Sequence, residues 1–164
     1  MVKRKICMLG AFSVGKTSLV SRFVRSIFSE KYHTTIGVKV DKKQMVIDGE
    51  DLSLLIWDLY GEDDIQEVRM NYVRGAAGYL LVADGTRRDS LDIAQRIRKR
   101  VESDVGKIPF VLLMNKSDLT EAWMFDDATL ESLRGEGWTV IRTSAKTGEG
   151  VEEGFALLAK AVLE

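Results

Sequence analysis

The residues best suited to chemistry follow the first apolar run of the chain. Residues 10–17 read GAFSVGKT, the pattern GxxxxGK[ST], between the strand-like run 5–9 and a helix-compatible stretch that begins at Ser18. Glycines let the backbone curl so that successive N–H groups converge on phosphate oxygens, and a helix N-terminus adds partial positive charge. The Lys16 ammonium suits the β- and γ-phosphates of a nucleotide, and the Thr17 hydroxyl suits Mg²⁺. The residues expected to line the phosphates are Ser13, Val14, Gly15, Lys16, Thr17 and Ser18.

A carboxylate in a second apolar run is a candidate partner for the metal. Residues 54–59 read LLIWDL, so Asp58 ends a strand-like run. A carboxylate there can hold Mg²⁺ through a water. Asp58 alone is also compatible with an ordinary turn. Together with the phosphate loop it predicts a magnesium site.

Two tetrapeptides indicate which base the nucleotide carries. Residues 115–118 read NKSD and residues 143–146 read TSAK. Guanine presents two adjacent N–H donors that the Asp118 carboxylate can bind together, whereas adenine would leave the carboxylate unpaired at a cost of about 2–5 kcal/mol. The lysine stems can lie across the base, although either tetrapeptide alone could be a capping turn. The residues expected to bind the base are Asn115, Lys116, Asp118, Ser144, Ala145 and Lys146.

The elements that must position these motifs alternate between strands and helices. Strand-like runs occupy 5–9, 44–47, 52–57, 78–83, 110–114 and 139–142. Apolar residues recur every three to four positions in 91–101 and 151–162, which predicts helices. The Asp48-Gly49 turn predicts an antiparallel hairpin of the second and third strands. We therefore expect an α/β fold: a six-stranded, mostly parallel sheet with one antiparallel strand and helices on both faces. Ligands of such sheets bind beyond the carboxyl ends of the strands.

Composition excludes several other classes of protein. The 164 residues carry 24 basic and 25 acidic side chains, so a nucleic-acid-binding surface is not expected. Cys7 is the only cysteine and lies in an apolar run, which predicts a packed thiol in a reducing compartment. No apolar run approaches the roughly 20 residues of a spanning helix, and the chain ends without a cysteine for prenylation. We expect one domain over residues 1–164, a monomer without a lipid anchor on this chain, and a cytoplasmic location.

Over essentially all 164 residues, the chain resembles the Ras superfamily of small GTPases, and its Rab branch in particular. Residues 32–37, YHTTIG, resemble the first switch, in which Thr35 would reach Mg²⁺ and the γ-phosphate of GTP. Residues 57–61, WDLYG, resemble the Rab second switch, in which the Gly61 N–H would bind the γ-phosphate. Phe28 stands where the family packs an aromatic edge against guanine.

The resemblance implies a phosphate-loop NTPase G domain that binds GTP or GDP with Mg²⁺. The implied metal ligands are Thr17, Thr35 and Asp58. The implied catalytic residues are Lys16, Thr35, Gly61 and Glu62. An effector protein would read the two switches, and an exchange factor and a GTPase-activating protein would regulate them.

Three residues depart from the family pattern near the reacting phosphate. Phe12 stands where a small residue is usual, Tyr60 replaces a small alanine, and Glu62 replaces the water-orienting glutamine. A carboxylate 4–5 Å from the γ-phosphate would cost about 3–4 kcal/mol per unit charge. We therefore expect slow GTP hydrolysis that is insensitive to an arginine finger. Alternatively, Glu62 is protonated or turned outward, since two aspartates follow it.

Competing functions remain open at this point. The leading one is a GTPase switch. Its main rival is a pseudo-GTPase that keeps GTP permanently and acts as a binding scaffold. A phosphate-loop kinase of small molecules is disfavoured because the base motifs specify guanine. Residues 123–125, WMF, are unusually apolar for a loop and either cover the next helix or anchor a partner.

Overall fold

The computed structural model describes residues 1–26, 38–59 and 70–164. Within these ranges the strands are β1 (Val2–Gly10), β2 (Val38–Ile47), β3 (Glu50–Leu59), β4 (Gly78–Asp84), β5 (Phe110–Asn115) and β6 (Val140–Arg142). The helices are α1 (Lys16–Arg25), α2 (Met70–Val73), α3 (Arg88–Asp104), α4 (Asp127–Gly135) and α5 (Val151–Leu163).

The strands form one sheet in the order β2-β3-β1-β4-β5-β6. β2 and β3 pair antiparallel through the turn at Asp48 and Gly49, and all other neighbouring strands pair parallel. The predicted fold class and the predicted hairpin are confirmed. β1 lies between β3 and β4. The next two strands of the chain, β2 and β3, are added on one side of β1, and β4, β5 and β6 are added on the other side. The loop after β1 therefore occupies the switch point where such sheets bind ligands.

The first two strands are longer than the sequence predicted. β1 begins at Val2 rather than residue 5, and β2 begins at Val38 rather than residue 44. Every residue of β2 pairs with β3, from Val38 opposite Leu59 to Ile47 opposite Glu50. The prediction relied on apolar residues, whereas the first part of the edge strand β2 carries Lys39, Asp41, Lys42 and Lys43, of which Asp41 is buried. The sequence does not reveal that β2 lies at the edge of the sheet, and this explains why residues 38–43 of the strand were missed.

Apolar side chains cover both faces of the sheet. On one face, α1 and α5 meet through Phe23 and Phe155, whose rings stack with centroids 4.0 Å apart. On the other face, α3 buries Leu91, Ala94, Ile97 and Val101 against the sheet. Every residue of β4, at the centre, is buried. The strand ends are thus held between two packed layers, which gives the loops at those ends a rigid support.

Cys7 is the packed thiol that the sequence predicted. It is fully buried, and its Sγ lies 3.6 Å from the carbonyl oxygen of Tyr72. Burial raises the pKa of the Cys7 thiol from 9.0 to about 12, so the reactive thiolate is absent at neutral pH. Separately, none of the helices in the described ranges is long and apolar enough to cross a bilayer.

Candidate nucleotide-binding site

The predicted motifs meet at the carboxyl edge of the sheet. Neighbouring strands pair Met8 with Asp58, Gly10 with Val82, and Asp84 with Asn115. The chain segments that follow β1, β3, β4 and β5 therefore start side by side. Motifs separated by up to about a hundred residues are brought into one site by strand register alone.

The phosphate loop contains three residues with positive φ. The angle is +154° at Gly10, +66° at Ser13 and +103° at Gly15. A Cβ at Gly15 would also overlap the side-chain amide of Asn115. Glycine is needed at Gly15 because both the backbone angle and the space exclude a side chain. This geometry allows α1 to start at Lys16 directly after the curl.

Lys16 lies over the loop from which it projects. The residue is only 6% exposed, and its Nζ donates to the carbonyl oxygens of Gly10 at 2.8 Å and Ala11 at 2.9 Å. A buried ammonium requires such partners because it has left water. The charge therefore stays inside the loop curl, where phosphate oxygens would have to enter.

Two of the three predicted metal ligands touch each other. The Thr17 hydroxyl donates to Oδ2 of Asp58 at 2.6 Å, while the other carboxylate oxygen, Oδ1, is buried and has no hydrogen-bond partner among the described residues. Burial raises the pKa of Asp58, although the Thr17 hydrogen bond and the Lys16 charge act in the opposite direction. A divalent cation would satisfy the orphaned oxygen and favour the ionised form. Thr17 and Asp58 thus fit a magnesium ion, which would neutralise phosphate charge when bound.

Removing the Asp58 charge should uncouple nucleotide release from magnesium. In the wild-type protein, chelation of Mg²⁺ by EDTA should accelerate GDP release because the cation no longer links the phosphates to the protein. In Asp58→Asn, release in excess Mg²⁺ should be about 10- to 100-fold faster, and EDTA should add little. Release of a fluorescent GDP analogue with and without EDTA measures both effects. Equal EDTA sensitivity in the two proteins would contradict the assignment of Asp58.

Asn115 holds the phosphate loop to the base-recognition loop. Its side chain is buried, Nδ2 donates to the Val14 carbonyl at 3.0 Å, and Oδ1 accepts from the Thr143 hydroxyl at 3.1 Å. Lys116 adds a second link, because its Nζ donates to the Ser13 carbonyl at 3.1 Å. The two predicted base motifs and the phosphate loop are therefore one hydrogen-bonded unit.

Asp118 is oriented by the last motif. The buried Ser144 donates its hydroxyl hydrogen to Oδ1 of Asp118 at 2.8 Å, and Ser144 Oγ in turn accepts from the Thr147 N–H at 3.1 Å. The neighbouring Ala145 is buried, while Lys146 is exposed. The carboxylate predicted to read the base is thus fixed in direction by a side chain 26 positions away.

Three side chains that contact the site were missed by sequence reasoning. They are Asp84, Arg87 and Arg22. The buried Asp84 forms an ion pair with Lys116, Arg87 donates to the Phe12 carbonyl at 2.7 Å, and Arg22 donates to the Lys146 carbonyl at 2.9 Å. Asp84 ends β4 just as Asp58 lies at the end of β3, so the same positional rule could have found it. No local pattern marks the two arginines.

Four assigned residues, Phe28, Thr35, Gly61 and Glu62, and also Tyr60, lie outside the described residues.

Of residues 123–125, Trp123 and Phe125 pack against the rest of the domain, whereas Met124 is exposed. Phe125 is buried, and a Cβ on Gly85 would overlap the Trp123 ring, so the indole lies flush against the backbone after β4. The guanidinium of Arg142 lies 5.3 Å from the Trp123 ring. Of the two interpretations, the covering role is the one that these contacts favour for Trp123 and Phe125.

A phosphate loop at the switch point of a mostly parallel sheet defines a nucleotide-binding protein of the phosphate-loop class. The model of the Ras family matches residues 5–164. The chain therefore belongs to the Ras family of small GTPases. It is similar to the Ras-related protein Ral-B of Rattus norvegicus and to that of Mus musculus. Each is 36% identical over 164 aligned residues, which cover 94% of this chain and 77% of the relative. As a family member, the chain binds GTP and GDP with Mg²⁺.

Proposed function

We propose that this GTPase is a molecular switch that hydrolyses GTP slowly and thereby controls the binding of an effector protein. The observation that carries the proposal is the linked site at the sheet edge. Thr17 contacts Asp58 at 2.6 Å, and Asn115 ties the base loop to the phosphate loop. A site built in this way can sense the phosphates and the base of one nucleotide together.

The proposed roles of the described residues follow from their contacts. Backbone N–H groups of Ser13, Val14, Gly15 and Ser18 cradle the phosphates, and Lys16 neutralises them. Thr17 and Asp58 hold the metal. Asp118 binds the paired N–H donors of guanine, with Ala145 N–H on the base oxygen and the stems of Lys116 and Lys146 along the base. Asn115 and Ser144 hold the loops that carry these groups.

Slow hydrolysis is proposed from Phe12, Tyr60 and Glu62. Phe12 is half-buried, and the Arg87 guanidinium holds its carbonyl at 2.7 Å, so its backbone has a fixed position beside the phosphates. A phenyl ring there would crowd the entry of an arginine finger. Glu62 would add negative charge beside the γ-phosphate instead of orienting the attacking water. Thr35 and Gly61 are proposed to bind the γ-phosphate and thereby order both switches.

Single-turnover GTP hydrolysis tests the proposed slow step. Glu62→Gln should accelerate hydrolysis by at least about tenfold, because recovering about 1.4 kcal/mol of the Coulombic cost corresponds to one factor of ten. Each variant is loaded with GTP, and phosphate release is followed after Mg²⁺ is added.

Rapid wild-type hydrolysis that Glu62→Ala slows strongly would show that Glu62 is a working catalytic residue and would refute the proposal. If Glu62→Gln brings no gain, Phe12→Gly and Tyr60→Ala are the next variants. Acceleration by Phe12→Gly alone would assign the block to the phenyl ring.

The alternative is a pseudo-GTPase that holds GTP constitutively as a scaffold, and Phe12, Tyr60 and Glu62 favour it. Nucleotide extracted from the purified protein and identified by chromatography separates the two. GDP indicates turnover, GTP favours the scaffold, and adenine nucleotides contradict both.

Further parts of the proposal concern the whole chain. Residues 1–164 form one G domain that works as a monomer in the cytoplasm. An effector binds through the switch regions, while an exchange factor and a GTPase-activating protein set the nucleotide state. Signal transduction with a Rab-like second switch is the proposed setting, with no nucleic-acid partner.

A further inference from the structure

A buried carboxylate beside the site has no part in the function proposed above. Asp84 is 1% exposed and ends β4, where it pairs in register with Asn115. A charge this deeply buried persists only if it has charged or hydrogen-bonding partners. Those partners show what the residue does.

The two carboxylate oxygens of Asp84 have different partners. Oδ1 accepts from the Thr86 N–H at 2.8 Å and from the Thr86 hydroxyl at 2.6 Å, which holds the carboxylate to its own loop. Oδ2 receives the Lys116 ammonium at 2.8 Å. Three donors therefore converge on one carboxylate, and one of them belongs to the predicted base-recognition motif.

The same ammonium also reaches the phosphate loop. Lys116 Nζ donates to the Ser13 carbonyl at 3.1 Å, so it bridges Asp84 and the phosphate loop. The backbone of Lys116 is left-handed, with φ of +73°, which is uncommon for a residue with a long side chain. The two contacts of Nζ fix one end of the Lys116 side chain, and the backbone angle fixes the other end. The aliphatic stem between them is therefore held in one direction.

The carboxylate itself is firmly placed. The Gly85 N–H donates to the Asn115 carbonyl at 2.9 Å, and the Gly85 carbonyl accepts from the Met124 N–H at 2.8 Å. Two residues further on, Arg87 donates to the Phe12 carbonyl. Contacts on both sides of residues 84–87 make Asp84 a fixed anchor for a flexible side chain.

We propose that Asp84 is a positioning residue that holds the stem of Lys116 against the guanine base and so prolongs the residence of the nucleotide. The inference rests on the proposed role of Lys116 as a wall of the base pocket. A lysine side chain without an anchor samples many rotamers, and ordering it on each binding event costs conformational entropy. Asp84 orders it in advance, which mainly slows dissociation.

The variant Asp84→Asn tests the proposal with little change in size. The neutral amide keeps an acceptor oxygen at only one of the two carboxylate positions, so in either orientation the ammonium loses the negative charge that anchors it. Release of a fluorescent GDP analogue in excess Mg²⁺ should be about tenfold faster than in the wild type. The control Asp92→Asn removes a charge from the exposed surface of α3 and should stay within about twofold of the wild type.

A double-mutant cycle with Lys116→Met distinguishes positioning from general stabilisation. If Asp84 acts through Lys116, adding Asp84→Asn to Lys116→Met should change GDP release by less than about twofold. If Asp84→Asn fails to fold, the comparison of Lys116→Met with the double variant tests the proposal by itself, and an acceleration above about twofold there would overturn it. An equal acceleration in both backgrounds, or no acceleration in Asp84→Asn, would overturn the proposal. Loss of guanine-nucleotide binding by the wild type would instead contradict the proposed function.

Discussion

Replacing Asp118 with alanine is expected to remove most of the preference for guanine over adenine nucleotides. The carboxylate is fixed by the Ser144 hydroxyl at 2.8 Å, so it meets paired N–H donors without rearrangement. Losing it should weaken GDP binding by about 2–5 kcal/mol, which is about 30- to 5,000-fold. ADP binding should change little or improve, because the wild-type site leaves the carboxylate unpaired when adenine is present. Titrations with GDP and ADP in excess Mg²⁺ measure the preference.

Glu121→Ala is the matched control for this prediction. Glu121 is an exposed carboxylate three positions further along the same loop, so its removal changes the net charge equally. Both affinities should stay within about twofold of the wild type. A wild-type protein that binds GDP and ADP equally, or an Asp118→Ala variant that keeps its preference, would contradict the proposed base site.

Replacing Lys16 with alanine is expected to reduce the affinity for both GDP and GTP by about 10³-fold. The ammonium is 6% exposed and bonded to the Gly10 and Ala11 carbonyls, so the variant loses the positive charge of the curl and two internal hydrogen bonds. Truncating one partner of a buried charge pair costs about 2–5 kcal/mol, which corresponds to this range of affinity.

The number of phosphates provides an internal test of the Lys16 prediction. GMP has no β- or γ-phosphate, so its weak binding should differ by less than about threefold between the variant and the wild type. Lys99→Ala, which removes an exposed lysine of α3, should leave all three affinities unchanged. An equal loss for GMP and GDP would show that the variant damages the loop rather than a phosphate contact.

Local patterns were sufficient to predict all six strands and the order of the motifs, although not the starts of β1 and β2. The Asp48-Gly49 turn between two apolar runs predicted the hairpin, because two residues with positive φ suit that turn and the run lengths set the pairing. The pattern GxxxxGK[ST] likewise placed the curl at Gly15, although α1 begins at Lys16 and not at the predicted Ser18. Conformation at these positions depends on near neighbours, so a single sequence reveals it.

Long-range contacts were accessible only where a general rule of the fold applies. The rule that loops meet at the carboxyl ends of parallel strands predicted that Thr17, Asp58 and Asn115 lie at one site. In the structure Thr17 contacts Asp58, and Asn115 contacts the phosphate loop that precedes Thr17. The same rule does not identify which side chain bonds to which. Arg87 and Phe12 are 75 positions apart, and Arg22 and Lys146 are 124 apart.

The sequence by itself determined a mostly parallel sheet, the phosphate loop and the chemistry of a guanine site, because these depend on local periodicity, glycine spacing and side-chain type. Only the tertiary structure decided that Asp84 pairs with Lys116 and that Arg87 donates to the Phe12 carbonyl. It also decided that Oδ1 of Asp58 has no hydrogen-bond partner among the described residues. Such contacts depend on strand register and on the packing of both sheet faces. Distances between remote side chains arise only after the whole chain has folded.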